Sequence, residues 1–138
     1  MEMQIGPHRV EVENDIVFAY CSHRLQFAEL KQILDLCEKI HARFGSAHLV
    51  TVMGPGYELP PESRKLAAEW GRDHELHNIV IGASFAIRTL INLLSRASKL
   101  VGSRAAGVDF VSTIDEARHR IAEYKARMAN SQENLKGL

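Results

Sequence analysis

Between His77 and Gly102 the chain passes from a short β-branched stretch straight into its longest periodic apolar segment. His77-Asn78-Ile79-Val80-Ile81-Gly82-Ala83-Ser84 begins as a buried strand does. From Phe85 to Val101, the residues Ile87, Leu90, Ile91, Leu94 and Val101 recur at helical spacing and share one face. Ser84 stands where an N-cap belongs and Gly102 where a C-cap belongs. A strand feeding a helix that packs back on the sheet is the half-unit of an α/β fold. The residues from Ile79 to Val101 are therefore expected to build the interior, with no chemistry assigned to them.

The remaining segments extend the same pattern. Ile5 to Glu13 and Ile16 to Cys21 read as strands joined at Asn14-Asp15, with Gly6-Pro7 able to split off Glu2 to Ile5. Leu25 to Phe44 has the apolar face of a helix, closed by Gly45. Ala47 to Met53 is a strand with His48, Val50 and Val52 on one side. Gly54-Pro55-Gly56-Tyr57-Glu58-Leu59-Pro60-Pro61 can continue neither strand nor helix. Pro61 suits the first position of the next helix, about Glu62 to His74. Gly107 to Ser112 is the last strand, and Thr113-Ile114-Asp115-Glu116 is a capping box opening the last helix. That helix is expected to fray near Met128, leaving polar residues 129–138 as a disordered tail. The expected architecture is α/β in the order ββαβαβαβα: one domain over residues 1–128, a mixed sheet with helices packed against it.

The totals restrict function more than they specify it. Seventeen Lys plus Arg balance seventeen Asp plus Glu, so no global field draws the 138-residue chain to nucleic acid. Arg88, Arg96 and Lys99 interrupt the best candidate for a membrane span, and no basic-then-apolar leader is visible. Cys21 and Cys37 make no disulfide framework. A cytoplasmic protein without cofactor is the expectation.

Three stretches resemble a known family: Ile5-Gly6-Pro7-His8-Arg9-Val10, Pro61-Glu62-Ser63-Arg64-Lys65-Leu66-Ala67-Ala68-Glu69-Trp70, and Ile79-Val80-Ile81-Gly82-Ala83-Ser84-Phe85. They look like the SpoIIAA-like proteins, small bacterial domains related to the STAS domain of sulfate transporters and anti-sigma-factor antagonists. The similarity covers about Met3 to Tyr124. It implies a STAS-like fold and a non-enzymatic switch, scaffold or ligand-binding role. The antagonists carry a phosphorylated Ser directly after an Asp at the start of the second helix. Here that region reads Leu59-Pro60-Pro61-Glu62-Ser63, with Ser63 the nearest hydroxyl.

Candidate chemistry is sparse. Gly82-Ala83-Ser84-Phe85-Ala86 has the strand–Ser–helix setting of a nucleophile elbow, with Asp109 and His119 following in hydrolase order. Ala86 replaces the second Gly and His119 falls mid-helix, so an N-cap is the simpler reading. His74 and His77 flank a helix end without a third ligand at diagnostic spacing, so no metal is expected. The loop of Gly54, Pro55, Gly56, Tyr57 and Glu58, with Ser63 beyond it, lies after a strand, where open α/β sheets bind partners. On the long helix, Leu93 and Leu100 lie at the margin of the apolar arc, Phe85 interrupts the polar arc, and Arg88, Arg96 and Lys99 face outward. The expected function is protein-partner binding and self-association, as a homodimer, through that loop and that helix flank. The alternative is a lipid or other apolar ligand between the helix at 85–101 and the sheet. Binding to an anionic membrane surface through Arg88, Arg96, Lys99 and Arg104 is a further option.

Overall fold

The computed structural model describes residues 1–100 and 108–137; the side chains at 94, 95, 97–100 and 136 fall outside the description. The described residues form one six-stranded mixed sheet in the order β1-β2-β3-β4-β5-β6. The strands are β1 (Glu2–Ile5), β2 (His8–Glu13), β3 (Ile16–Cys21), β4 (His48–Met53), β5 (His77–Ile81) and β6 (Val108–Val111). The helices are α1 (Phe27–Phe44), α2 (Pro61–Asp73), α3 (Phe85–Leu100) and α4 (Ile114–Lys136). β1, β2 and β3 form an antiparallel meander, and β3 to β6 run parallel. The α/β class and mixed sheet agree with the sequence reading, but the order is βββαβαβαβα. Gly6 takes φ +58 and turns the chain so that Ile5 pairs with His8, splitting off β1. At Asn14-Asp15, Asn14 supplies the left-handed backbone (φ 53) of the expected hairpin.

Strand alternation sorts the core into two clusters. On one face Val10, Val17, Ala19 and Leu49 meet Leu30, Ile33, Leu34 and Cys37 of α1, with Leu66 and Trp70 of α2 packed alongside. On the other, Phe18, Val50, Ile79 and Val111 meet Ala117 and Ile121 of α4. Local signals fix the helix ends. Gly45 caps α1 at φ +80, and the Thr113 hydroxyl accepts from the Glu116 N–H at 3.1 Å. Cys21 and Cys37 are free and buried, and burial pushes both thiols up to about 12.

Two expectations need correction. α4 does not fray near Met128 but runs as a helix to Lys136. The stretch Ala129 to Lys136 holds no Gly or Pro and includes Gln132, Glu133 and Leu135, all good helix formers; Gly137 follows. The second concerns α3. Ile79 is fully buried as expected, yet no described side chain of α3 is. Ile87, Leu90 and Ile91 are half-buried, and the helix packs on α2 and β6. The sequential strand order leaves β6 at the sheet's rim, and it is four residues long, so it gives α3 little area to cover. Val101, Gly102 and Arg104 lie outside the described residues. Among the described residues, no helix is long and apolar enough to cross a membrane.

Candidate functional site

The most concentrated polar chemistry lies beneath α4, at the amino ends of the parallel strands. His48 and His77 are the first residues of β4 and β5 and are register partners, so their rings project side by side on the α4 face. Asp109 of β6 pairs with Ile79, two residues beyond His77, and so projects on the same face. Asp15 ends the β2–β3 turn, and its carbonyl accepts from the His48 N–H at 2.9 Å. From above, Tyr124 of α4 stacks on His77 with ring centroids 4.2 Å apart, and the Lys125 Nζ reaches Asp15 at 2.9 Å. Three adjacent strands, the β2–β3 turn and one helix thus contribute to a single transverse polar line.

Its hydrogen positions follow from the distances. His77 Nε2 lies 2.8 Å from Asp109 Oδ2 and must donate, since two bare acceptors would repel at that range. With Nε2–H given to Asp109, the His77 ring can accept at Nδ1. His48 Nδ1, 3.0 Å away, donates to it. That tautomer leaves His48 Nε2 a bare lone pair. The atom is buried and has no hydrogen-bond partner, although Asp15 Oδ2 is only 3.4 Å away. Burial disfavours the imidazolium, and the pKa of His48 falls to about 4. Burial alone would raise the Asp15 carboxyl; hydrogen bonds from Ser46 (2.6 Å) and Lys125, with the Lys125 charge, hold it below the usual range. A cavity of about 700 Å³ opens beside the array, lined by Asn14, Phe44, Ser46, His48, Tyr124 and Met128 among others.

The residues singled out from sequence are dispersed differently. The loop from Gly54 to Glu58 is zipped to the segment before α1: Gly54 N–H donates to Cys21 O at 2.7 Å and Leu25 N–H to Glu58 O at 2.9 Å. Arg24 adds an ion pair to Glu58 at 3.2 Å. Pro55, Gly56 and Glu58 remain exposed. Tyr57, expected among the partner-binding residues of the loop, instead packs against the α1-side core, and burial raises its hydroxyl pKa. Ser63 does not belong to an accessible surface either. It is fully buried, and its hydroxyl donates to Leu25 O at 2.8 Å, because the first turn of α2 tucks under the loop. On α3, Phe85, Arg88, Leu93 and Arg96 are exposed; the side chains of Lys99 and Leu100 lie outside the description.

The hydrolase arrangement does not assemble. Ser84 accepts from the Ile87 N–H at 3.3 Å as an N-cap, Asp109 serves His77, and the exposed His119 pairs with Glu123 at 2.7 Å. His74 and His77 do not form a ligand pair: the His74 ring stacks on Trp70 and its Nδ1–H donates to Trp70 O at 2.8 Å. The array itself had one trace in the sequence, a His at the first position of two successive strands. Compared with family models, with curated proteins and with solved structures, the chain matches none.

Proposed function

We propose that the chain is a non-catalytic interaction module of STAS/SpoIIAA type, self-associating and binding a protein partner through the outer flank of α3. The observation that carries this reading is Phe85, 86% exposed, and Leu93, 58% exposed, on a helix whose inward residues are half-covered. Large apolar side chains left in the open on one helix mark a contact surface. Arg88, Asn92 and Arg96 give that patch the polar rim expected of an interface. The Gly54–Glu58 loop and the start of α3 leave the carboxyl ends of neighbouring strands β4 and β5, so both flank one end of the sheet. Burial of Ser63 argues for a contact surface without phosphorylation at that hydroxyl.

Light scattering over a concentration series tests this reading. The wild type should approach a dimer, and Leu93→Glu should hold it monomeric with an unchanged melting temperature. A wild type monomeric at every concentration, with partner capture unaffected by Leu93→Glu, would overturn it.

One feature favours a second reading, an apolar ligand between α3 and the sheet. Ile87, Leu90 and Ile91 are incompletely packed, and the Arg88 guanidinium sits 5.5 Å from the Phe110 ring centre, beside the same seam. Liposome flotation separates the readings: lipid binding abolished by Arg88→Glu plus Arg96→Glu supports this one.

A further inference from the structure

The charge on α3 is one-sided. Its 16 residues include Arg88, Arg96 and Lys99 and not one Asp or Glu. Subtracting those three cations leaves fourteen Lys plus Arg against seventeen Asp plus Glu in the rest of the chain. The balanced total therefore hides a positive field local to this helix. Arg9, Arg24 and Arg118 each reach a Glu carboxylate. Arg88 and Arg96 are exposed, and among the described residues neither has a carboxylate partner. The spacing also repeats. Arg88 follows Phe85 by three positions, and Arg96 follows Leu93 by three. The two pairs stand about 12 Å apart along the helix axis, and all four side chains are exposed. Between them Thr89 and Asn92 are exposed and uncharged.

We infer, on the reading of α3 as a contact surface, that the protein partner of this flank is an acidic amphipathic helix. Its apolar residues cover Phe85 and Leu93, and its carboxylates, about two turns apart, meet Arg88 and Arg96. A guanidinium fork suits paired carboxylates. Charge decides among the possible occupants. A second copy in an isologous contact brings the same surface, so cations meet cations and no carboxylate of α3 answers them. Self-association through α3 is then carried by Phe85 and Leu93 and opposed by the arginines, and the acidic partner displaces it. Recognition of an anionic membrane takes a cluster of about four to eight cations, and α3 carries three.

The test is fluorescence anisotropy with three labelled helical peptides of about 20 residues, identical in a Leu face and flanked by Glu, by Gln or by Lys. At about 50 mM NaCl the Glu peptide should bind the wild type at least roughly tenfold more tightly than the Gln peptide, and raising the salt to about 500 mM should erase most of that difference. The dimer seen by light scattering should strengthen over the same range. Arg88→Glu plus Arg96→Glu should lose the Glu peptide and take up the Lys peptide. Arg88 also lies over the Phe110 ring. Arg96→Glu alone carries the test if circular dichroism shows the double variant unfolded, and it should weaken the Glu peptide several-fold. Equal binding of the Glu and Gln peptides overturns the inference and leaves α3 as a contact surface indifferent to charge. No Glu-peptide binding by a wild type that still dimerises overturns the inference alone. A wild type that is monomeric and takes none of the peptides overturns the underlying reading as well. Flotation with phosphatidylglycerol vesicles without Glu-peptide binding overturns the inference in favour of lipid.

Discussion

His48 Nδ1 and His77 Nδ1 lie 3.0 Å apart, so a single hydrogen serves both rings. The two residues are register partners on parallel strands, and both side chains are buried. Neither ring can be removed without stranding the other. A buried donor or acceptor left without its partner costs about 1–3 kcal/mol, whereas removing both partners together avoids that penalty. His77→Leu and His48→Leu should therefore each destabilise by about 2–3 kcal/mol. The double variant should lose less than the sum, with a coupling of roughly 1–2 kcal/mol in urea unfolding. Additive losses would mean that the two rings do not share a hydrogen.

The same array sets a pH dependence. His48 has a pKa of about 4 in the folded chain against 6.5 as the reference for the unfolded one. Above 6.5 the residue is neutral in both states, and its contribution to stability is complete. As pH falls from 6.5 to about 4, the unfolded chain takes up a proton that the native ring refuses, so native stability drops. Asp15, held below its reference of 3.8, adds a further loss as pH falls through its folded value. Urea midpoints measured between pH 7.5 and 4 should fall steadily. His48→Gln should flatten the slope; an identical slope in that variant would place the effect elsewhere.

Ser63 gives a prediction opposite in sense to a phosphoswitch. Its hydroxyl is fully buried and donates to Leu25 O at 2.8 Å. Ser63→Ala leaves that carbonyl without a donor and should cost about 1 kcal/mol. Ser63→Asp buries a carboxylate against the same carbonyl and should cost several times more, enough to reduce soluble expression. A stable Ser63→Asp chain with altered partner binding would return this position to the list of switches.

The parts legible in sequence were those written by short-range rules. The amphipathic period of α1, the Thr113 N-cap, Pro61 at a helix start and the alternation of His48, Val50 and Val52 each specify a local outcome. The rest depended on register and area. His48 and His77 are 29 positions apart and meet only because β4 and β5 pair in parallel. Asp109 belongs to His77 rather than to Ser84 or His119 because β6 lies beside β5, which no spacing states. The apolar arc of α3 read as interior since periodicity reports a face but not how much sheet lies beneath it. The polar composition of residues 129–136 pointed to disorder, although their helix propensity favoured continuation of α4.

Gly82 and Gly45 separate two ways in which a glycine is required. Both have positive φ, +83 and +80, where an L residue with a Cβ costs about 1 kcal/mol or more. At Gly45 a Cβ would meet nothing within 4 Å, so Gly45→Ala should lose only that backbone term. At Gly82 the added carbon would lie 2.7 Å from the Met53 carbonyl oxygen, a backbone atom on the neighbouring strand. The chain cannot relieve that contact by a rotamer change; β4 and β5 would have to part at their carboxyl ends. Gly82→Ala should therefore destabilise by about 3 kcal/mol or more, against about 1 kcal/mol for Gly45→Ala. Thermal unfolding of the pair checks this, and the position matters for function. Gly82 stands in the segment that resembles a nucleophile elbow, and here the glycine makes room for a neighbouring strand. If Gly82→Ala melts no lower than Gly45→Ala, close packing at this turn is not why the chain keeps a glycine there.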